Sequence, residues 1–240
     1  MICRSRPIRQ LFAVITLLLP SVVAEAQTRS KAVIEDEENM RNLTVFIAAK
    51  GEADSGLFGA GILAGQIPGK LYIVTAKHIL EDLKGKPLIV KFYKDRTEYD
   101  AAVVKFLPDE MDGDDIAVIS VTGKELPRGV AFARAASARI DYDVYTVRHP
   151  KHRIWEVSGK PAAVTGTPAG FVDFQSVMVY PGNSGGPLIA NNLRFLVGMI
   201  VQDRPPQARA IDIAYILSKL NAWHIPCGIK IFSDELMGLK

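Results

Sequence analysis

Cysteine is nearly absent from this chain. Of the two in 240 residues, Cys3 falls in the first 26 positions and Cys227 stands alone near the other end. No internal disulfide framework can therefore hold the fold together. Charge of one sign is lacking as well. The formal net charge is only +3, and no nucleic-acid or anionic-membrane partner follows from so small an excess. No apolar run is comfortably long enough to cross a bilayer; Leu11 to Leu19 is short and Pro20 interrupts it. Disorder is excluded from the other side, because 48% of the residues are apolar and 23% charged, the proportions of a globular protein.

The first 26 residues carry their own pattern. Arg4, Arg6 and Arg9 make a basic start, the apolar run follows, and Ala24-Glu25-Ala26 supplies an A-x-A cleavage site. This is the pattern of a secretory signal peptide over residues 1–26, cut before Gln27, with no stable membrane insertion afterwards. Losing three arginines and one glutamate lowers the formal charge to about +1.

The most informative stretch is Tyr180-Pro181-Gly182-Asn183-Ser184-Gly185-Gly186-Pro187. Three glycines in five positions are poor filler for a strand or helix, since each costs conformational entropy. They suit a sharp turn whose amides point at a ligand. The N–H groups of Gly182 and Ser184 can converge on one carbonyl oxygen as it becomes an oxyanion, with the Ser184 hydroxyl placed to attack. The same residues also suit a plain hairpin turn, where serine is common. A serine nucleophile needs a base, and the base needs an orienting partner. Leu71 to Thr75 is an apolar run leading into Ala76-Lys77-His78, and Asp115 opens the apolar run Ile116 to Val121.

With these residues in the order His, Asp, Ser, the chain resembles the trypsin-like (chymotrypsin-fold) serine peptidases. Thr75-Ala76-Lys77-His78 matches the family's T-A-x-H, Asp115-Ile116-Ala117-Val118 its D-I-A-L/V, and Gly182 to Pro187 its G-x-S-G-G-P. The resemblance runs from about Asn42 to about Lys219. It implies a catalytic triad of His78, Asp115 and Ser184, an oxyanion hole at Gly182 and Ser184, a polypeptide substrate, and neither metal nor organic cofactor. Asp112 and Asp114 compete with Asp115 for the third role; Asp115 directly abuts its strand, as in the family. Without cross-links, the chain is most similar to the bacterial HtrA (Deg) branch, here with no room for a PDZ domain. A periplasmic or extracellular bacterial location goes with that branch.

The implied fold is all-β: two six-stranded antiparallel β-barrels, the active site between them, and a C-terminal helix. The apolar runs fit it. Leu43–Ala49, Phe58–Ala64, Leu71–Thr75, Leu88–Tyr93, Ala101–Leu107 and Ile116–Val121 give a first barrel over about 42–122. Val144–Val147, Ile154–Gly159, Phe171–Val179, Pro187–Ala190, Phe195–Val201 and Ala210–Ile213 give a second over about 129–214. Ile213, Ile216, Leu217 and Leu220 share one face of a helix over about 213–223. The peptidase domain is thus 27–226, with Thr28 to Asn39 a polar arm and 227–240 a tail.

By the resemblance, Met178, six before the nucleophile, lies at the base of the substrate pocket and Val201 on its wall, which gives a medium apolar preference. Digestive members have an aspartate just before the nucleophile that pairs with a freshly cut N-terminus; Asn183 stands here instead. The oxyanion hole is then either preformed or ordered by a partner. His149 and His152 are three apart, but no cysteine or acid cluster joins them, so they read as a surface turn rather than a metal pair. His224 and Cys227 read as incidental. The functions left open are a secreted serine endopeptidase, a catalytically inactive peptide-binding module on the same fold, and an esterase using the same triad.

Overall fold

The computed structural model describes residues 33–51, 58–106, 115–127, 130–150, 154–190 and 193–232. Why so many strands read as unbroken apolar runs is plain from β1 (Thr44–Ala49), in which all six residues are buried. Val45, Ile47 and Ala49 join one apolar cluster, whereas Phe46 and Ala48 join another. Successive side chains point to opposite faces of a strand. Here both faces are covered.

The first cluster fills a closed barrel of β1, β2 (Phe58–Ile67), β3 (Lys70–Thr75), β4 (Leu88–Phe92), β5 (Tyr99–Phe106) and β6 (Ala117–Thr122). Its strand order is β1-β2-β3-β6-β5-β4 and every pairing is antiparallel. Between β3 and β4 lies a short helix, α2 (Lys77–Asp82). A helix over 33–43, α1, precedes β1. The acidic stretch expected to be an arm is therefore helical. Its Met40 and Leu43 are buried, and Glu37 pairs with Arg41 one turn on, at 2.8 Å.

A second antiparallel barrel follows: β8 (Asp143–Arg148), β10 (Ala162–Gly166), β11 (Phe171–Gln175), β12 (Pro187–Ala190), β13 (Phe195–Arg204) and β14 (Gln207–Asp212). The order β12-β8-β10-β11-β14-β13 closes through a β12–β13 pairing. Its interior holds Val144, Val164, Val172, Phe174, Leu188 and Ile200. Two expectations are corrected here. The run at Ile154 contributes only β9 (Glu156–Val157), paired to β8 outside the barrel. The barrel's own strand is β10, whose Ala-Ala-Val-Thr-Gly sequence carries little strand signal. Likewise Phe171–Val179 is strand only to Gln175, and Ser176–Met178 forms a 3-10 turn.

The largest cluster joins the barrels, with Ile62, Val74, Ile116 and Val118 of the first and Ile189, Leu196, Met199 and Ile211 of the second. Helix α3 (Ile213–Ala222) closes it with Ile213, Ile216 and Leu220, its N-terminus capped by Asp212, which accepts from the amides of Ala214 and Tyr215. The chain then returns to the first barrel. The Gly228 amide donates to the Ala64 carbonyl at 2.8 Å, and Pro226 passes so close to Gly65 that a Cβ there would lie 1.9 Å from the Pro226 oxygen. β15 (Lys230–Ile231) then runs parallel to β7 (Arg134–Ala135), so the described part of the tail is a strap across both barrels.

Candidate active site

Thirty-seven residues separate His78 from Asp115 in sequence, yet β3 and β6 are neighbours, with Thr75 opposite Ala117. Each strand delivers its residue to the same end of the barrel. The Asp115 carboxylate spends both oxygens on His78: Oδ1 accepts from the backbone amide at 2.9 Å and Oδ2 lies 2.5 Å from Nδ1. The Lys77 amide also donates to the Asp115 carbonyl, at 3.4 Å. A carboxylate can only accept, so Nδ1 carries the proton and the Nε2 lone pair is left able to accept one. The hydrogen bond to Asp115 raises the His78 pKa above its usual 6.5, burial opposes it, and the charges of Asp115, Asp82 and Glu81 add to the rise. Asp112 and Asp114, the competing acids, lie outside the described residues.

The Ser184 loop consists of two turns in succession. Asn183 donates to the Tyr180 carbonyl at 3.1 Å, with Pro181 second and Gly182 third at φ +92, the signature of a type II turn. Gly186 then donates to the Asn183 carbonyl at 2.8 Å across Ser184 and Gly185, the latter at φ +76. The loop is pinned on both sides. Gly185 donates to Ile200 and Ile200 to Gly186, at 2.8 and 2.9 Å, which fixes it to β13. The Ser184 carbonyl accepts from the Ala60 amide at 2.9 Å, which fixes it to β2 of the other barrel. Within residues 182–186, the amides of Gly182 and Ser184 have no backbone acceptor, whereas those of Asn183, Gly185 and Gly186 are all bonded. Two unspent amides flanking a serine are chemically fit to receive an oxyanion.

No hydrogen bond joins the Ser184 hydroxyl to His78 among the described residues. The loop nevertheless lies against the segment that carries the histidine: a Cβ on Gly185 would sit 2.5 Å from Thr75 Oγ1 and 3.1 Å from the Ala76 amide. Met178 ends the 3-10 turn before the loop, and its side chain is outside the described residues. Val201 occupies a bulge of β13 and packs against the first barrel's apolar cluster and the one that joins the barrels.

His149 corrects the surface-turn reading. It is fully buried, donates from Nε2 to the Val45 carbonyl (3.3 Å) and accepts the Trp155 amide at Nδ1 (3.1 Å). Its ring meets Phe46 and Trp155 edge-on. Burial pushes its pKa down to about 3. Its strand-like placement two residues after the buried Val147 was the available signal. His152 is outside the described residues, and His224 is exposed. No group of three or more His, Cys, Asp or Glu fit to hold a metal occurs among the described residues.

Residues 59–199 match the family model of the trypsin-like peptidase domain. No curated protein matches the sequence. Among solved structures, the serine endoprotease from Yersinia pestis superposes with a TM-score of 0.62 at 20% identity, over 80% of this chain and 66% of that one. The chain thus spans about two thirds of that protein's length. The Rv3671c protease of M. tuberculosis, in an inactive form, gives 0.56 at 17% identity, over 76% of this chain and 89% of that one. Identities this low speak to the fold alone.

Proposed function

The chain belongs to the trypsin-like peptidase family, and on that footing we propose that it is an exported serine endopeptidase working through Ser184, His78 and Asp115. Ser184 Oγ attacks the scissile carbonyl while His78 Nε2 takes its proton. The carbonyl oxygen gains charge between the amides of Gly182 and Ser184, and His78 hands the proton to the departing amine. Water, deprotonated by the same nitrogen, then hydrolyses the acyl-enzyme and frees the serine. Asp115 keeps the proton on Nδ1 and stabilises the imidazolium. The observation that carries this reading is the two-point hold of Asp115 on His78. A hydrogen bond to the backbone amide together with one to the ring fixes position and tautomer at once.

Export rests on the leader of residues 1–26, and the substrate is an unfolded or extended polypeptide with a medium apolar side chain before the cut bond. The mature protein is expected to cleave an unfolded protein and to be labelled at Ser184 by a fluorophosphonate, with both lost in Ser184→Ala. Peptide binding without cleavage or labelling would place it instead among inactive binding modules. Labelling with turnover of esters but no peptides would make it an esterase.

A further inference from the structure

In the absence of an aspartate beside the nucleophile, something else must hold the Tyr180–Asn183 turn. In a type II turn the central peptide faces the opposite way from a type I turn, so the direction of the Gly182 amide depends on keeping φ positive at Gly182. Two groups press on that residue. A Cβ there would lie 2.8 Å from the His149 carbonyl oxygen and 2.6 Å from the Phe58 ring. The His149 carbonyl is itself immobilised, because its imidazole bonds the first barrel at Val45 and the amide of Trp155. Trp155 closes the bracket by donating its indole Nε1–H to the Thr44 carbonyl at 3.1 Å, next to Val45 on β1. Its backbone stands at φ +60, a region bulky residues rarely adopt. Such strain persists only where the surroundings over-determine it, and it gathers at functional sites. A second handle reaches the start of the turn: the Arg148 guanidinium lies 4.8 Å from the Tyr180 ring centre while pairing with Glu156 at 3.0 Å.

We propose that His149, clamped between β1 and Trp155, is a positioning residue that presets the oxyanion turn, so that the site needs neither a processed N-terminus nor an ordering partner. The proposal rests on the peptidase reading above. It answers how the hole is held: by an internal bracket, tied to the barrel that also supplies the base.

The test uses mature protein, a peptide substrate and a fluorophosphonate, with far-UV circular dichroism to confirm folding. Wild type is expected to label without a lag and without additions. His149→Phe keeps the aromatic packing but loses both hydrogen bonds, leaving the His149 carbonyl unanchored. It is expected to label and turn over about 10²-fold more slowly, the effect of losing one oxyanion donor, with KM changed less than about twofold. His149→Gln, which can donate and accept in place of the two ring nitrogens, should recover most of that loss. Folded His149→Phe with wild-type kcat, equal loss in both variants, or a wild type that labels only after an added ligand or proteolysis each overturns the proposal. Should His149→Phe fail to fold, Arg148→Ala decides: a kcat reduced at least about tenfold at unchanged KM supports the bracket, and an unchanged kcat overturns it. A folded wild type that labels under no condition would instead refute the peptidase reading itself.

Discussion

Acid should weaken this protein through a buried histidine. His149 is fully buried and neutral, with a pKa of about 3 in the folded chain, against about 6.5 once unfolded. As pH falls below 6.5 the unfolded chain takes up a proton that the folded chain refuses, so the equilibrium moves toward unfolding. The contribution is constant above about pH 6.5 and declines by about 1.4 kcal/mol per unit below it, a loss of roughly 3 kcal/mol by pH 4 and about 5 kcal/mol at most. That is a large share of a typical domain stability of about 5–15 kcal/mol. The measurement is urea denaturation at pH 7, 6, 5 and 4 in a Ser184→Ala background, which removes self-cleavage. Alongside it runs the same protein with His149→Gln, whose amide does not titrate. Carboxylates titrate equally in both and cancel. The two stability curves should diverge by about 3 kcal/mol between pH 7 and pH 4, wild type falling faster. Parallel curves would refute the reasoning, because they would mean that the buried imidazole gains its proton without penalty.

Further outcomes follow from the site and from the glycine turns. The raised pKa of His78 puts the acid limb of kcat/KM above pH 6.5, since only the neutral ring accepts a proton. Asp115→Asn should move that limb down and cut turnover by about 10⁴-fold, seen in a pH–rate profile. The same raised value makes the His78–Asp115 pair stabilising below about pH 6.5, an effect lost as pH climbs through the folded pKa. Gly185→Ala should destabilise by about 3 kcal/mol or more, because φ is +76 and the new Cβ would meet the Ala60 oxygen at 2.1 Å. Gly85→Ala, at φ +81 with open space around it, should lose only about 1 kcal/mol, and equal denaturation midpoints for the two would remove the steric argument.

Much of the fold was legible because this architecture writes itself into short apolar runs. Where strands are buried on both faces, as at β1 and β3, the runs were unmistakable. Legibility failed where local composition and tertiary role diverge. β10 is Ala-Ala-Val-Thr-Gly, held as a strand by its neighbours β8 and β11. The acidic stretch before β1 looked solvated because its helix buries little beyond Met40 and Leu43. His78 and Ser184 stand in motifs, since the strand and turn around each leave a linear trace. His149 stands in none. Its partners Val45 and Trp155 lie 104 and 6 positions away, and only a folded barrel interface brings the first to it.

The cross-barrel bonds also bear on why the motifs occur where they do. A base from one barrel and a nucleophile from the other can work together only if the barrels are held in register to a few tenths of an ångström. Apolar burial between the barrels is non-directional and cannot supply that register by itself. Hydrogen bonds can, and here they form a chain: Thr75 Oγ1 donates to the Ala60 carbonyl at 2.7 Å, and the Ala60 amide donates to the Ser184 carbonyl at 2.9 Å. Thr75 stands three residues before His78, so the threonine that opens the histidine motif is two hydrogen bonds from the backbone of Ser184. Gly185 is required at the same junction, because any side chain there would push Ala60 and Thr75 away. The threonine and glycine beside His78 and Ser184 thus align the barrels, which explains their place in the motifs without giving either one a chemical role.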